Sequence, residues 1–141
     1  MTPVNEIRGI RNHNPGNIRH GDKWLGLSEE QTDPAFCRFT SPEYGIRAMA
    51  KILLNYKRKY GHDTVRGIIS RWAPPVENDT QAYIRHVCGE VAACAYEAID
   101  VQDPYVLAVL VAAMIKHENG INPYSHELIR RGIDLALEAS A

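Results

Sequence analysis

A mainly α fold, preceded by an irregular or short-β N-terminal loop region, is predicted by three observations. Apolar residues recur at helical spacing from Ser41 onward, helix start and stop signals punctuate that stretch, and turn formers crowd the residues before it. In the first forty residues, Arg11-Asn-His-Asn-Pro-Gly-Asn-Ile-Arg19 suits a tight turn, with proline early and glycine at positive φ. His20-Gly-Asp and Thr32-Asp-Pro add further turns, and short extended pieces are expected around Ile18 and Cys37-Arg-Phe39.

Ser41-Pro-Glu then supplies an N-cap, a first-turn proline and a first-turn acid. Ile46, Met49, Ala50, Leu53, Tyr56 and Tyr60 follow on one helical face, and Gly61 stops the helix. A shorter helix runs from Asp63-Thr64 to about Trp72, where Ala73-Pro-Pro breaks the ladder. Asp79-Thr80 caps the next, with Tyr83, Ile84 and Val87 inward and a looser helical continuation from Val91 to Ile99. Asp103-Pro104 starts a strongly apolar helix that Asn119-Gly120 ends. Tyr124-Ser125 leads into the last, carrying Leu128, Ile129, Ile133, Leu135, Ala136 and Leu137.

A length of 141 residues accommodates one domain, 1–141, with one core; no internal repeat or linker divides it. Hydrophobic content of 45% and charged content of 23% are ordinary for a globular protein. A formal net charge of -1 supplies no global attraction to nucleic acid, which is therefore not an expected partner. The apolar run Val106 to Ile115 is about half the length of a membrane span, so membrane insertion is not expected. The first residues lack a basic, then apolar, signal pattern; synthesis in a reducing cytosol without a signal peptide is the expectation. Cys37, Cys88 and Cys94 fit neither zinc spacing nor a disulfide framework, and the six histidines are scattered; no metal or cofactor is expected.

Glu118 is the most informative residue. It places a negative charge at the negative end of the apolar helix, a local cost that suggests a purpose. A carboxyl half-buried against a core can hold a proton near neutral pH, as a general acid must. The plainer alternative is a solvated last-turn residue. Glu43 and Glu77 are the other candidate acids, although Glu43 suits the helix dipole and Glu77 a polar loop. Tyr44, Trp72, Tyr83 and Tyr124 are candidates to bind a ligand by stacking or hydrogen bonding. Asn14, Asn17 and Asn119 are candidates to read its polar groups, since amides both donate and accept.

The ordered set Asn14-Pro-Gly-Asn-Ile-Arg19, Trp24-Leu-Gly26, Phe39-Thr-Ser-Pro-Glu-Tyr-Gly-Ile-Arg-Ala48, Ile69 to Tyr83, and His117-Glu-Asn-Gly-Ile-Asn-Pro-Tyr-Ser125 resembles small phage-encoded proteins of the lysozyme-like superfamily. These are virion-associated or lysis proteins that cut peptidoglycan. Pro74-Pro-Val-Glu-Asn-Asp-Thr-Gln-Ala-Tyr-Ile84 is also similar to a late element of lytic transglycosylases. The Glu-bearing helix comes last instead of first, the order of a circularly permuted lysozyme-like core. The resemblance implies glycan-strand cleavage by a lytic transglycosylase or muramidase, acting as a monomer on peptidoglycan. It also implies delivery by the virion or a lysis partner, and contact with other phage virion or lysis proteins. A non-catalytic virion structural or peptidoglycan-binding protein is the alternative, and a toxin delivered into competing bacteria shares the same chemistry.

Overall fold

The computed structural model describes residues 3–138. It is mainly α, as predicted. A 3-10 turn at Val4–Glu6 precedes α1 (Arg8–Arg11), and after a long loop come α2 (Pro42–Tyr60), α3 (Val65–Trp72), α4 (Thr80–Val91), α5 (Pro104–Asn119) and α6 (His126–Glu138).

The helix boundaries follow local chemistry. Asp103 accepts from the backbone N–H groups of Tyr105 and Val106, Asp79 from Ala82, and Thr64 from Gly67, each satisfying first-turn donors. Gly61 and Gly120 end α2 and α5 in the left-handed conformation. Ser41 occupies the N-cap of α2, but its side chain makes no capping hydrogen bond.

Two departures from expectation have clear causes. Residues 92–99 are turns and irregular chain with one bridge, Ala98 to Thr64, and not a continuation of α4. Ala92 is left-handed (φ 56°), and the segment instead bonds to the start of α3, through Arg66 N to Ala95 O and Ile99 N to Asp63 O. The N-terminal region contains the short α1, unforeseen in a stretch so rich in turn formers. The expected extended pieces are present as isolated bridges, Arg19 with Phe36 and Leu27 with Phe39.

α5 lies at the centre, packed against α1, α2, α4 and α6. Leu107, Ala108, Leu110, Val111, Ala113, Met114 and Ile115 are buried around several of its faces, as a helix enclosed by others requires. α2 contributes Ile46, Met49, Ala50 and Leu53, and α6 contributes Ile129, Ile133 and Ala136. Tyr60, expected inward, is half exposed at the polar end of α2. Leu135 and Leu137 are only partly buried. Among the described residues, no helix is long and apolar enough to cross a membrane.

Candidate active site

Glu118 lies in the last turn of α5, directly after the basic residues Lys116 and His117. The N-terminal loop is folded against this helix end, and its geometry begins with Asn14. That side chain is fully buried; Nδ2 donates to the carbonyls of Ile18 (3.0 Å) and Cys37 (2.9 Å), and Oδ1 accepts from Ile18 N (3.0 Å). Asn14 thus holds the turn as a brace and has no remaining capacity aimed at a ligand.

Gly16 follows, where an added Cβ would meet Met49 Sδ and the Trp72 ring at 3.0 Å. Its lack of a side chain lets the loop lie against α2 and the end of α3. Asn17 is left-handed (φ 50°), which asparagine tolerates, and its amide is thereby turned toward α5. From the other side, Asn119 Nδ2 donates to Pro15 O (2.8 Å) and Ile115 O (2.9 Å), tying the loop to the helix end. The Oδ1 atoms of Asn17 and Asn119 are buried close to Gly9 without a hydrogen-bond partner among the described residues.

The result is a cleft of about 300 Å³ lined in part by Gly16, Asn17, Trp72, Glu77, Asn78 and Glu118. Glu118 Oε1 accepts from Asn17 Nδ2 at 3.3 Å, and Oε2 accepts from Trp72 Nε1 at 3.3 Å. Two N–H donors from distant segments therefore aim one half-buried carboxylate. Beneath it, Tyr83 is buried, its ring stacked on His117 at 3.8 Å and its hydroxyl 3.5 Å from the Met114 carbonyl, to which it donates. Burial, reinforced by the Glu118 carboxylate, pushes the Tyr83 phenol pKa up, so it stays protonated.

At the mouth, Glu77 Oε2 lies 3.7 Å from an Arg19 guanidinium nitrogen, both side chains well exposed. Arg19 also sits over the Phe36 ring, 5.2 Å from its centroid. Glu77 is thus a second acid on the same cleft, but at its rim and ion-paired.

The remaining candidates lie elsewhere. Glu43 faces α6, with Oε2 3.5 Å from Arg131 Nε, and does not line the cleft. Tyr44 packs against Gly26, where an added Cβ would overlap its ring. Tyr124 has a buried hydroxyl without a partner among the described residues, and burial pushes its pKa up to about 12. Neither tyrosine lines the cleft. Asn14 and Asn119 shape the cleft from behind, whereas Asn17 and Trp72 reach Glu118 itself.

Sequence reasoning missed the lining roles of Asn78, Arg19 and Phe36. Asn78 adjoins Glu77 in a segment already singled out; nothing local marks Phe36. It also missed the pairing that locks the loop: Arg8 grips Asp33 with nitrogens at 2.7 and 2.6 Å, Asn12 adds 3.0 Å, and His20 approaches the Asp33 carbonyl at 2.7 Å. Among the described residues, no group of three or more His, Cys, Asp or Glu side chains is arranged to hold a metal ion.

No protein-family model matches the chain. Over 138 residues it is 41% identical to protein P5 of Pseudoalteromonas phage PM2, covering 94% of this chain and 84% of that protein. The chain belongs to the family of phage protein P5. Membership in the P5 family covers nearly the whole chain and makes this a phage-type protein.

Proposed function

We propose that this P5-family protein cleaves the glycan strands of peptidoglycan, with Glu118 as the general acid. The observation that carries the reading is Glu118 itself, held at the end of an apolar helix by Asn17 and Trp72 and lining a cleft. The order of sequence motifs, similar to lysozyme-like phage proteins and lytic transglycosylases, supports the same chemistry.

In the mechanism, Glu118 gives its proton to the glycosidic oxygen as the C1–O bond breaks. Asn17 and Trp72 keep the carboxyl aimed at that oxygen, which confers the advantage of a preset geometry. With the second acid, Glu77, paired to Arg19 at the rim, a one-carboxylate route is favoured. The sugar's own 6-hydroxyl attacks C1, and its proton returns to Glu118. The product is a 1,6-anhydro end, lighter by one water than the end left by a muramidase. Delivery to the wall would be by the virion or a lysis partner.

A second reading, a non-catalytic virion or wall-binding component, is favoured by the relation to a phage protein. The engagement of both Glu118 oxygens by internal donors fits it equally. Glu118→Gln separates the two. The variant is expected to keep its helical circular dichroism yet clear a peptidoglycan suspension about 100-fold or more slowly than wild type. Clearing at the wild-type rate would remove Glu118 from the chemistry. Wall retention by a wild type that clears nothing would establish the binding reading, and mass analysis of released fragments identifies the bond-breaking mode.

A further inference from the structure

Beside the Glu118 cleft runs a second, larger groove of about 1110 Å³, lined among others by Trp24, Lys51, Asn55, Arg58 and Arg71, with Asp22 as an acid on its wall. Arg47, Lys51, Asn55 and Arg58 lie at i, i+4, i+8 and i+11 on α2 and so form one stripe. Ile52 lines both depressions, and the consecutive residues Arg71 and Trp72 divide between them. The two depressions therefore adjoin at Ile52 and at the Arg71–Trp72 end of α3.

The groove carries a local excess of positive charge that the net charge of -1 conceals. Lys57 is neutralised by Asp63 at 3.0 Å, but among the described residues Arg58 donates to the neutral Asn55 (2.6 Å). Arg71 lies over Tyr60, 3.7 Å from the ring centroid, and 5.5 Å from that of Tyr56. Neither arginine pairs with a carboxylate among the described residues. Burial, and then Arg47 and Arg58, lower the Lys51 pKa, as expected where cations crowd.

We propose that this groove binds the carboxylates of the acidic peptides borne by a wall glycan seated in the Glu118 cleft. The inference rests on the glycan reading of that cleft. Adjacency supplies the geometry, because the cleft is lined by Trp72 and the groove by the preceding residue, Arg71, together with Lys51, Asn55 and Arg58 of α2. The aromatic residues argue against nucleic acid as occupant. Tyr60 already has a guanidinium on its face and His62 at 6.0 Å, and Tyr56 meets His62 edge-on at 6.3 Å. The Tyr60 face that a base would stack on is thus already covered by Arg71. Carboxylates need only the guanidinium edges, which remain available for paired N–H donation.

The test measures binding by the full-length Glu118→Gln protein to three soluble ligands: glycan strands with stem peptides, the same strands stripped by an amidase, and a single-stranded DNA oligonucleotide. Peptide-bearing strands are expected to bind at least about threefold tighter than stripped ones. Arg58→Glu, an exposed change, should narrow that gap by about twofold or more, as should Arg71→Gln and raised salt. Equal affinity for both strands, or a gap untouched by Arg58→Glu, overturns the groove proposal while leaving the cleft reading standing. Failure to bind either strand overturns the cleft reading with it. Preference for the oligonucleotide would reassign the groove to nucleic acid.

Discussion

Asn14 and Asn17 are three positions apart and chemically identical, yet the fold gives them opposite tasks. Asn14 directs both N–H donors and its oxygen to the backbone of Ile18 and Cys37, whereas Asn17 donates outward to Glu118. Residue type alone could not separate a brace from a cleft donor; only burial does. Removing the brace would strand the Ile18 N–H and the Cys37 carbonyl, whereas the Ile18 carbonyl would keep its bond from Cys37 N. Asn14→Ala is therefore expected to cost about 2–4 kcal/mol in urea denaturation, several times a typical surface change. A cost below about 1 kcal/mol would show that the loop holds its shape by other means. Glu118 tells a similar story: its helix-end position was legible in Asp103-Pro104 and Asn119-Gly120, but its two donors come from residues 101 and 46 positions away.

At the level of elements, helix ends were the most legible feature, because caps act within one turn of chain. Thr64, Asp79, Asp103, Gly61 and Gly120 all serve where local chemistry placed them. The expected helix through Val91 to Ile99 was not, since Ala92 turns left-handed and the segment's backbone bonds go to the start of α3. Which helices touch was equally hidden. The α2–α6 contact is close because Gly132 lacks a side chain; a Cβ there would lie 2.6 Å from Ile46 Cγ2 and 2.9 Å from the Glu43 carbonyl. Alanine is ordinarily a better helix former than glycine by about 1 kcal/mol. Here overpacking should reverse that sign, and Gly132→Ala is expected to destabilise by about 1–3 kcal/mol. A thermal midpoint equal to or above wild type would show that α6 can shift away without loss.

Across the whole molecule, three ionisable groups tie stability to pH: Asp33, His117 and His13. Arg8 holds the Asp33 carboxyl well below the usual carboxylate range. The unfolded chain therefore binds a proton first, so this contribution is complete above about pH 4 and is lost as pH falls further. Burial, and then the neighbouring His86 at 2.9 Å, lowers the His117 pKa, and burial lowers that of His13. Their contributions are complete above about pH 6.5 and are lost as pH drops below it. Urea midpoints measured from pH 8 to pH 3 should thus decline in two stages. His117→Phe should flatten the upper stage in part, and Asp33→Asn the lower one. A midpoint constant between pH 7 and pH 5 would contradict the histidine assignment.

The sequence by itself determined the helical class, most helix limits, the apolar α5 and the acid at its end. Each depends on interactions within a turn or two of chain, where the order of residues is the geometry. Tertiary structure alone decided that Asn17 and Trp72 meet Glu118, that Glu43 faces α6, and that Arg58 and Arg71 share a groove. Those outcomes depend on how buried surfaces of separate helices interlock, and close packing between distant segments leaves no periodic mark along the chain.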